Sequence, residues 1–232
     1  DGGCEEGPGY WGYGFGHYLS VAEALYQKTN GALDLFKGER IDAICQYPVA
    51  AHIKDHLRST FADSSHGYIP TQAALIINSH KNMPQLYSLC ASHKDRTLEV
   101  GNPHELSTYR GQKQSGKPDP GDYFLPGLGQ VKLRSKPGPK SLTLMAIGGH
   151  NGVPHNHNDV GSFILHRGDK LWLTDPGGPV YNRKTFGPNR YDILFCNSKG
   201  HSVPVINGKL QKEGSQFKGT IKVQNLNQPG QK

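Results

Sequence analysis

"GSFILHRGDKLWLTD", Gly161 to Asp175, carries two runs of alternating apolar and polar residues on either side of Arg167-Gly168-Asp169. Alternation with period two puts every second side chain on one face of a strand, and a short glycine-containing break between two such runs is a hairpin turn. The stretch predicts a β-hairpin, "SFILH" against "KLWLTD". The same period recurs on both sides, in "QVKLRS" (Gln130 to Ser135), "SLTLMAIGG" (Ser141 to Gly149) and "HSVPVING" (His201 to Gly208). The second half of the chain is therefore expected to be antiparallel β.

Upstream the period changes. In "YGFGHYLSVAEALYQKT", Tyr13 to Thr29, apolar Tyr18, Ala22, Leu25 and Tyr26 recur at steps of three and four, which predicts an amphipathic helix stopped by Asn30-Gly31. Further helices are expected over Ile41 to Leu57, kinked or divided by Pro48, over Gln72 to His80, and around Met83 to Ser92. Between Ser107 and Asp122, "STYRGQKQSGKPDPGD" has almost nothing to bury and reads as a linker. The organisation expected is a helical unit over 1–108, a linker over 109–122 and a β unit over 123–232 that stops inside a strand-rich region. No internal repeat is visible.

The 232 residues suffice for one large or two small domains. With 30 Gly, 16 Pro and 34% hydrophobic residues the chain is rich in turns and reads as soluble, and no apolar run approaches the roughly 20 residues of a membrane helix. The opening "DGGCEEGPGYW" has neither an initiator Met nor a signal-peptide layout and reads as mid-protein. A formal charge of +7 fits a polyanionic partner. The basic residues are scattered, with no zinc-finger spacing, basic zipper or aromatic RNA-binding signature, so nucleic acid is not expected. Cys4, Cys45, Cys90 and Cys196 are far apart, which gives neither a thiolate zinc site nor a compact disulfide framework.

The densest chemistry lies in "GGHNGVPHNHNDVGSF", Gly148 to Phe163. In an extended segment His155 and His157 project to the same side. Asp175 ends the predicted hairpin and His201 begins a later predicted strand, so His157, Asp175 and His201 have the composition of a zinc site, although three separately hydrogen-bonded polar residues would read the same way. Gly149 followed by His155-Asn156-His157 also opens like a cupin metal motif, but the glutamate expected next is absent, with Asp159-Val160-Gly161-Ser162 in its place.

Several separated stretches agree on one family. "DGGCEEGPGYWGYG", "PHNHNDVGSF", "LWLTDPGGPVY", "KTFGPNRY" and "HSVPVINGKLQ", in this order over nearly the whole chain, resemble the heparinase II/III-like polysaccharide lyases. The resemblance implies a partial (α/α) toroid followed by an antiparallel β-sandwich, and β-elimination of an anionic, uronic-acid polysaccharide in the cleft between them. Carried onto this sequence, it implies Tyr10, His155 and Tyr191, the last a further tyrosine at the cleft, as catalytic residues, and Tyr13, Asn156 and Arg190 as substrate contacts; Tyr13 is the alternative for the catalytic tyrosine. It further implies a structural Zn2+ on His157, Asp175 and His201, and a periplasmic or secreted location. The family's carboxylate-neutralising asparagine or histidine lies upstream of the tyrosine motif, and nothing in this chain matches it. The last motif reads His201-Ser202 where His-Asn is usual. A zinc-containing carbohydrate-binding relative without turnover is the alternative reading.

Overall fold

The computed structural model describes residues 1–91 and 115–228. The segment 92–114, with the first part of the expected linker (109–114), His93, His104 and the last residue of the helix expected around Met83 to Ser92, lies outside the described residues, as do 229–232.

The first helix begins earlier than the apolar period shows. After Gly7 the chain winds through α1 (Pro8–Tyr10), a π-helical turn (Trp11–Phe15) and α2 (Gly16–Lys28). Proline suits the first turn because the N–H it lacks has no helical partner there. Asn30 and Gly31 take positive φ, and the Gly31 amide closes the helix on the Tyr26 carbonyl at 2.8 Å, as the sequence predicts.

Helix α3 (Glu39–Ala51) contains Pro48 and stops at Ala51 rather than Leu57. Pro48 has no N–H to give the Ile44 carbonyl, and the Trp11 indole donates to it instead at 2.8 Å. The chain then turns through Asp55, at φ 50, as a two-stranded hairpin of β1 (His52–Lys54) and β2 (Leu57–Arg58). Helix α4 (Thr71–His80) matches its expectation, and the weaker helix reduces to a 3-10 turn at Pro84–Leu89. Leu19, Ala22, Cys45, Tyr47, Val49 and Ala73 to Ile77 bury the facing sides of these helices in one core.

The β half is a five-stranded antiparallel sheet in the order β3-β4-β5-β7-β8: β3 (Tyr123–Leu125), β4 (Gln130–Arg134), β5 (Leu142–Ile147), β7 (Phe163–Arg167) and β8 (Lys170–Leu173). The predicted hairpin is β7–β8, with Arg167 opposite Lys170 and Gly168 at φ 61 in the turn. Strand β6 (Gly149–Asn151) leaves the line of β5 and pairs with β9 (Gly214–Gly219). The strand expected from His201 to Gly208 does not form. Asn207 and Gly208 both take positive φ and fold the chain back, so that Ile206 bridges Lys209. None of the four cysteines is in a disulfide. No described helix is long and apolar enough to cross a membrane.

The two halves share structure. Ile53 and Phe61 from the helical half are buried with Met145 and Ile164 of the sheet. Lys132 of β4 donates to the carbonyls of Val49 (2.5 Å) and His52 (3.2 Å), and Arg134 to those of His52 (3.0 Å) and Ile53 (2.6 Å). Both side chains thus cover the C-terminal end of α3, where donors are favoured because the helix dipole is negative.

Candidate active site

The segment Ser59–Ser64 runs between the two halves and is held by the sheet side along its length. Gln130 donates to the Ser59 hydroxyl at 2.6 Å, the Thr60 hydroxyl to the Asp175 carbonyl at 3.0 Å, and the Gly178 amide to the Ser64 carbonyl at 2.8 Å. Ala62, at φ 60, bends the chain just before Asp63, whose side chain is fully buried.

Four groups converge on that carboxylate. Asp63 Oδ2 meets His155 Nδ1 at 2.8 Å and the Tyr181 hydroxyl at 3.2 Å, while Oδ1 meets His157 Nε2 at 3.0 Å and Arg190 Nη2 at 2.9 Å. Burial alone would raise the Asp63 carboxyl, but the bonds from His157, Arg190 and His155 outweigh it and hold it down to about 2. The carboxylate is an anion that only accepts.

On the Oδ2 side the network opens toward solvent. Tyr181 and Tyr10 share a hydroxyl contact of 2.8 Å, and the Tyr10 ring lies 4.9 Å from that of His155. Burial, reinforced by Tyr10 and Asp63, pushes the Tyr181 phenol well above its usual range. Its proton goes to Asp63, so the Tyr10 hydroxyl donates to Tyr181. His155 Nε2 faces Glu6 across 3.9 Å, and Phe186, 65% exposed, stands edge-on to the imidazole at 5.4 Å.

On the Oδ1 side the network is closed. His157, Asp175 and His201 are buried with potential ligand atoms within 4.8 Å of one another. His201 Nδ1 meets Asp175 Oδ2 at 2.7 Å and its Nε2 meets the Phe195 carbonyl at 2.8 Å. Burial outweighs the bond to Asp63 and lowers the His157 pKa, which favours the neutral, ligating imidazole. Its Nε2 is taken by Asp63, and its Nδ1 is buried without a partner. An orphaned imidazole nitrogen beside a carboxylate and a second histidine is what a zinc ion would satisfy, so the donor set fits that metal. Asp63, His157 and Cys196 form a second possible group, but the guanidinium of Arg190 already occupies Asp63 Oδ1 with a fixed positive charge.

The structure thus brings together Tyr10 and His155 on one side of Asp63, and His157, Asp175 and His201 on the other. Two corrections concern how they meet. His155 has φ 55, so it and His157 share Asp63 through a bent loop and not through strand alternation. His201 lies just after the 3-10 turn Ser198–Gly200, not at the start of a strand. The remaining site residues face inward or away. Arg190 is buried, with Nε and Nη2 on the Asn156 carbonyl at 3.2 and 3.1 Å and Nη1 on the Thr185 carbonyl at 2.9 Å. Asn156 is buried too, and accepts from the Tyr191 hydroxyl at 2.8 Å. Tyr13 is 70% exposed and packs edge-on against His17. Arg190, Asn156 and Tyr191 therefore brace the histidine loop, and their polar groups are spent on protein. Asp63 and Tyr181 carry no signal in spacing. The only hint of Asp63 is a lone acid in the small-residue run "STFADSS".

Residues 118–232, which include every group on the sheet side of this network, match the family described as Heparinase II/III-like, C-terminal. Through them the chain belongs to the heparinase II/III-like family. A solved heparinase III with methylated lysines is similar to this heparinase II/III-like chain at 16% identity and a TM-score of 0.50, over 85% of this chain and 29% of that one. Another heparinase III structure overlaps 70% of this chain and 23% of its own at 16% identity, with a TM-score of 0.42. The chain spans less than a third of the length of either. No curated protein matches it.

Proposed function

We propose that this chain carries part of the active site of a polysaccharide lyase that cleaves a uronic-acid-containing anionic polysaccharide, of heparan sulfate or alginate type, by β-elimination. The observation that carries the reading is the contact of Tyr10 with His155 and Tyr181 across the two halves, above a buried carboxylate. Family membership and the net charge of +7 support it. In this reading the helices belong to an incomplete (α/α) toroid and the strands to a β-sandwich, and the enzyme works in the periplasm or outside the cell.

β-Elimination breaks the C5–H and C4–O4 bonds, forms a C4=C5 double bond and leaves an unsaturated uronate. The carboxylate beside C5 resists more negative charge, so the developing enolate needs positive or hydrogen-bonding groups near it. His155 Nε2 is the base that takes the C5 proton when it lies anti to the leaving group. Tyr10 protonates O4, and takes the C5 proton itself where the uronate epimer presents it syn. Each proton transfer of this kind contributes about 10²–10⁴ in rate. His157, Asp175 and His201 would hold zinc, which when bound supplies fixed positive charge and holds the loop that carries His155 in place.

The test is ultraviolet absorbance of unsaturated uronate after incubating the protein with heparan sulfate, chondroitin sulfate, hyaluronan or alginate. New absorbance that Tyr10→Phe abolishes is the expected result. Full turnover by Tyr10→Phe would remove Tyr10 from the mechanism. No absorbance on any glycan would leave a carbohydrate-binding protein without turnover.

A further inference from the structure

We infer that Asp63 is a positioning residue that fixes the tautomers of two histidines at once, pointing His155 Nε2 at the substrate and His157 Nδ1 at the metal. The inference rests on the lyase reading for its consequence in catalysis, but its geometric content stands alone.

A buried carboxylate accepts and never donates, so a neutral imidazole in contact with it must place its proton on the contacting nitrogen. Asp63 touches His155 through Nδ1 and His157 through Nε2, using a different oxygen for each. The proton of His155 is therefore on Nδ1, and its lone pair is on Nε2, on the side of Glu6 and the exposed cleft. The proton of His157 is on Nε2, and its lone pair is on Nδ1, the buried atom that has no partner in the protein. Opposite tautomers two residues apart are thus set by one anion. The bend at His155, φ 55, is what lets two rings on one short loop present different nitrogens to the same group.

The other two contacts fix Asp63 in turn. Arg190 Nη2 shares Oδ1 with His157, and the Tyr181 hydroxyl shares Oδ2 with His155. Each oxygen therefore has two donors and no room to rotate toward solvent. Asp63 belongs to the helical half and both histidines to the sheet half. The proton placement on the sheet side is consequently imposed from across the layer boundary.

Asp63→Asn separates the two roles, because an amide has one accepting oxygen. Arg190 can only donate, so the amide oxygen settles at the Oδ1 position and keeps His157 as it is. The NH2 then faces His155, which must accept through Nδ1 and carry its proton on Nε2. In the zinc-loaded protein we expect 15N NMR of the imidazoles, assigned by the signal lost in His155→Gln, to show Nδ1–H on His155 in the parent and Nε2–H in Asp63→Asn. Zinc affinity measured by competition with a chelator should change less than threefold in Asp63→Asn and fall about 10–100-fold in Asp63→Ala, which removes the partner of His157 as well. If lyase turnover is present, kcat in Asp63→Asn should fall on the order of 10⁴-fold with KM within threefold, as when a histidine base is held in the wrong tautomer.

A parent protein with Nε2–H on His155, or an Asp63→Asn variant whose His155 tautomer is unchanged, overturns the inference whatever the activity. Correct tautomers with no lyase turnover on any glycan would uphold it and remove the lyase reading instead. Asp63→Asn that folds, flips His155 and keeps full kcat would remove His155 as the base and with it the catalytic consequence of Asp63.

Discussion

Arg190→Met tests whether this guanidinium braces the histidine loop or meets the substrate. In the structure it makes four hydrogen bonds to protein: one to Asp63, two to the Asn156 carbonyl and one to the Thr185 carbonyl. Methionine fills part of the same volume but donates nothing. The variant leaves the Thr185 carbonyl without its side-chain donor and Asp63 without its one permanently charged partner. Removing one member of a buried ion pair costs about 3–5 kcal/mol, against a typical total stability of about 5–15 kcal/mol. For a chain of this size 1 kcal/mol corresponds to roughly 2–4 °C, so the melting temperature should drop by roughly 6–20 °C. Arg190→Lys restores the charge but not the planar fork, and should recover less than half of the loss. Thermal and urea unfolding followed by circular dichroism give the melting temperature and the free energy of each variant. A midpoint for Arg190→Met equivalent to within about 0.5 kcal/mol of the parent, the range of an ordinary surface substitution, would refute the bracing role. A tenfold rise in KM at unchanged stability would return Arg190 to the substrate.

Two further outcomes are expected. Burial, against the opposing bond to the Asp55 carbonyl and with help from Lys132 and Arg134, pushes His52 down to about 4 from an ordinary 6.5. The unfolded chain then binds a proton that the folded one refuses, so stability falls as pH drops from about 6.5 toward 4. The loss reaches about 3 kcal/mol, and the difference in urea midpoint between pH 7 and pH 4.5 should shrink by most of that in His52→Gln. Gly177, at φ 71, packs against the Ser64 carbonyl where a Cβ would collide. Gly177→Ala should destabilise by more than about 1 kcal/mol and, by shifting the Asp63 segment, lower turnover; a melting curve and rate equal to the parent's would show that the segment has slack.

The period of the apolar residues revealed α2, α4 and the β4, β5, β7 and β8 strands, because each buries one face of a regular element. Where the chain is governed by something other than burial periodicity, the reading fails. Helix α3 runs through Pro48 because Trp11 takes the carbonyl that Pro48 cannot serve, a contact between residues far apart in sequence, and it ends where His52 becomes extended. The strand expected at His201 is lost to positive φ at Asn207 and Gly208. At the site, His155, His157, Asp175 and His201 were visible as residue types, but the partner that joins His155 to His157 was not. Asp63 and Tyr181 act through distances of 92 and 26 residues to His155, and no local pattern encodes such a contact. Arg190 and Asn156 show the converse: residues at a cleft motif whose polar groups turn out to be occupied within the protein.

Lys132 and Arg134 close the end of α3, and Phe61 fills the core beneath the sheet. Seen across a family of diverging sequences, this makes the change from helical to strand period a poor place for recombination. A crossover between residues 91 and 115 would pair one ancestor's carbonyls and Asp63 with another's cations and histidines. Such chimaeras should survive only where both parents keep these partners, so the halves are expected to drift as one inherited unit even though they look separable on the page.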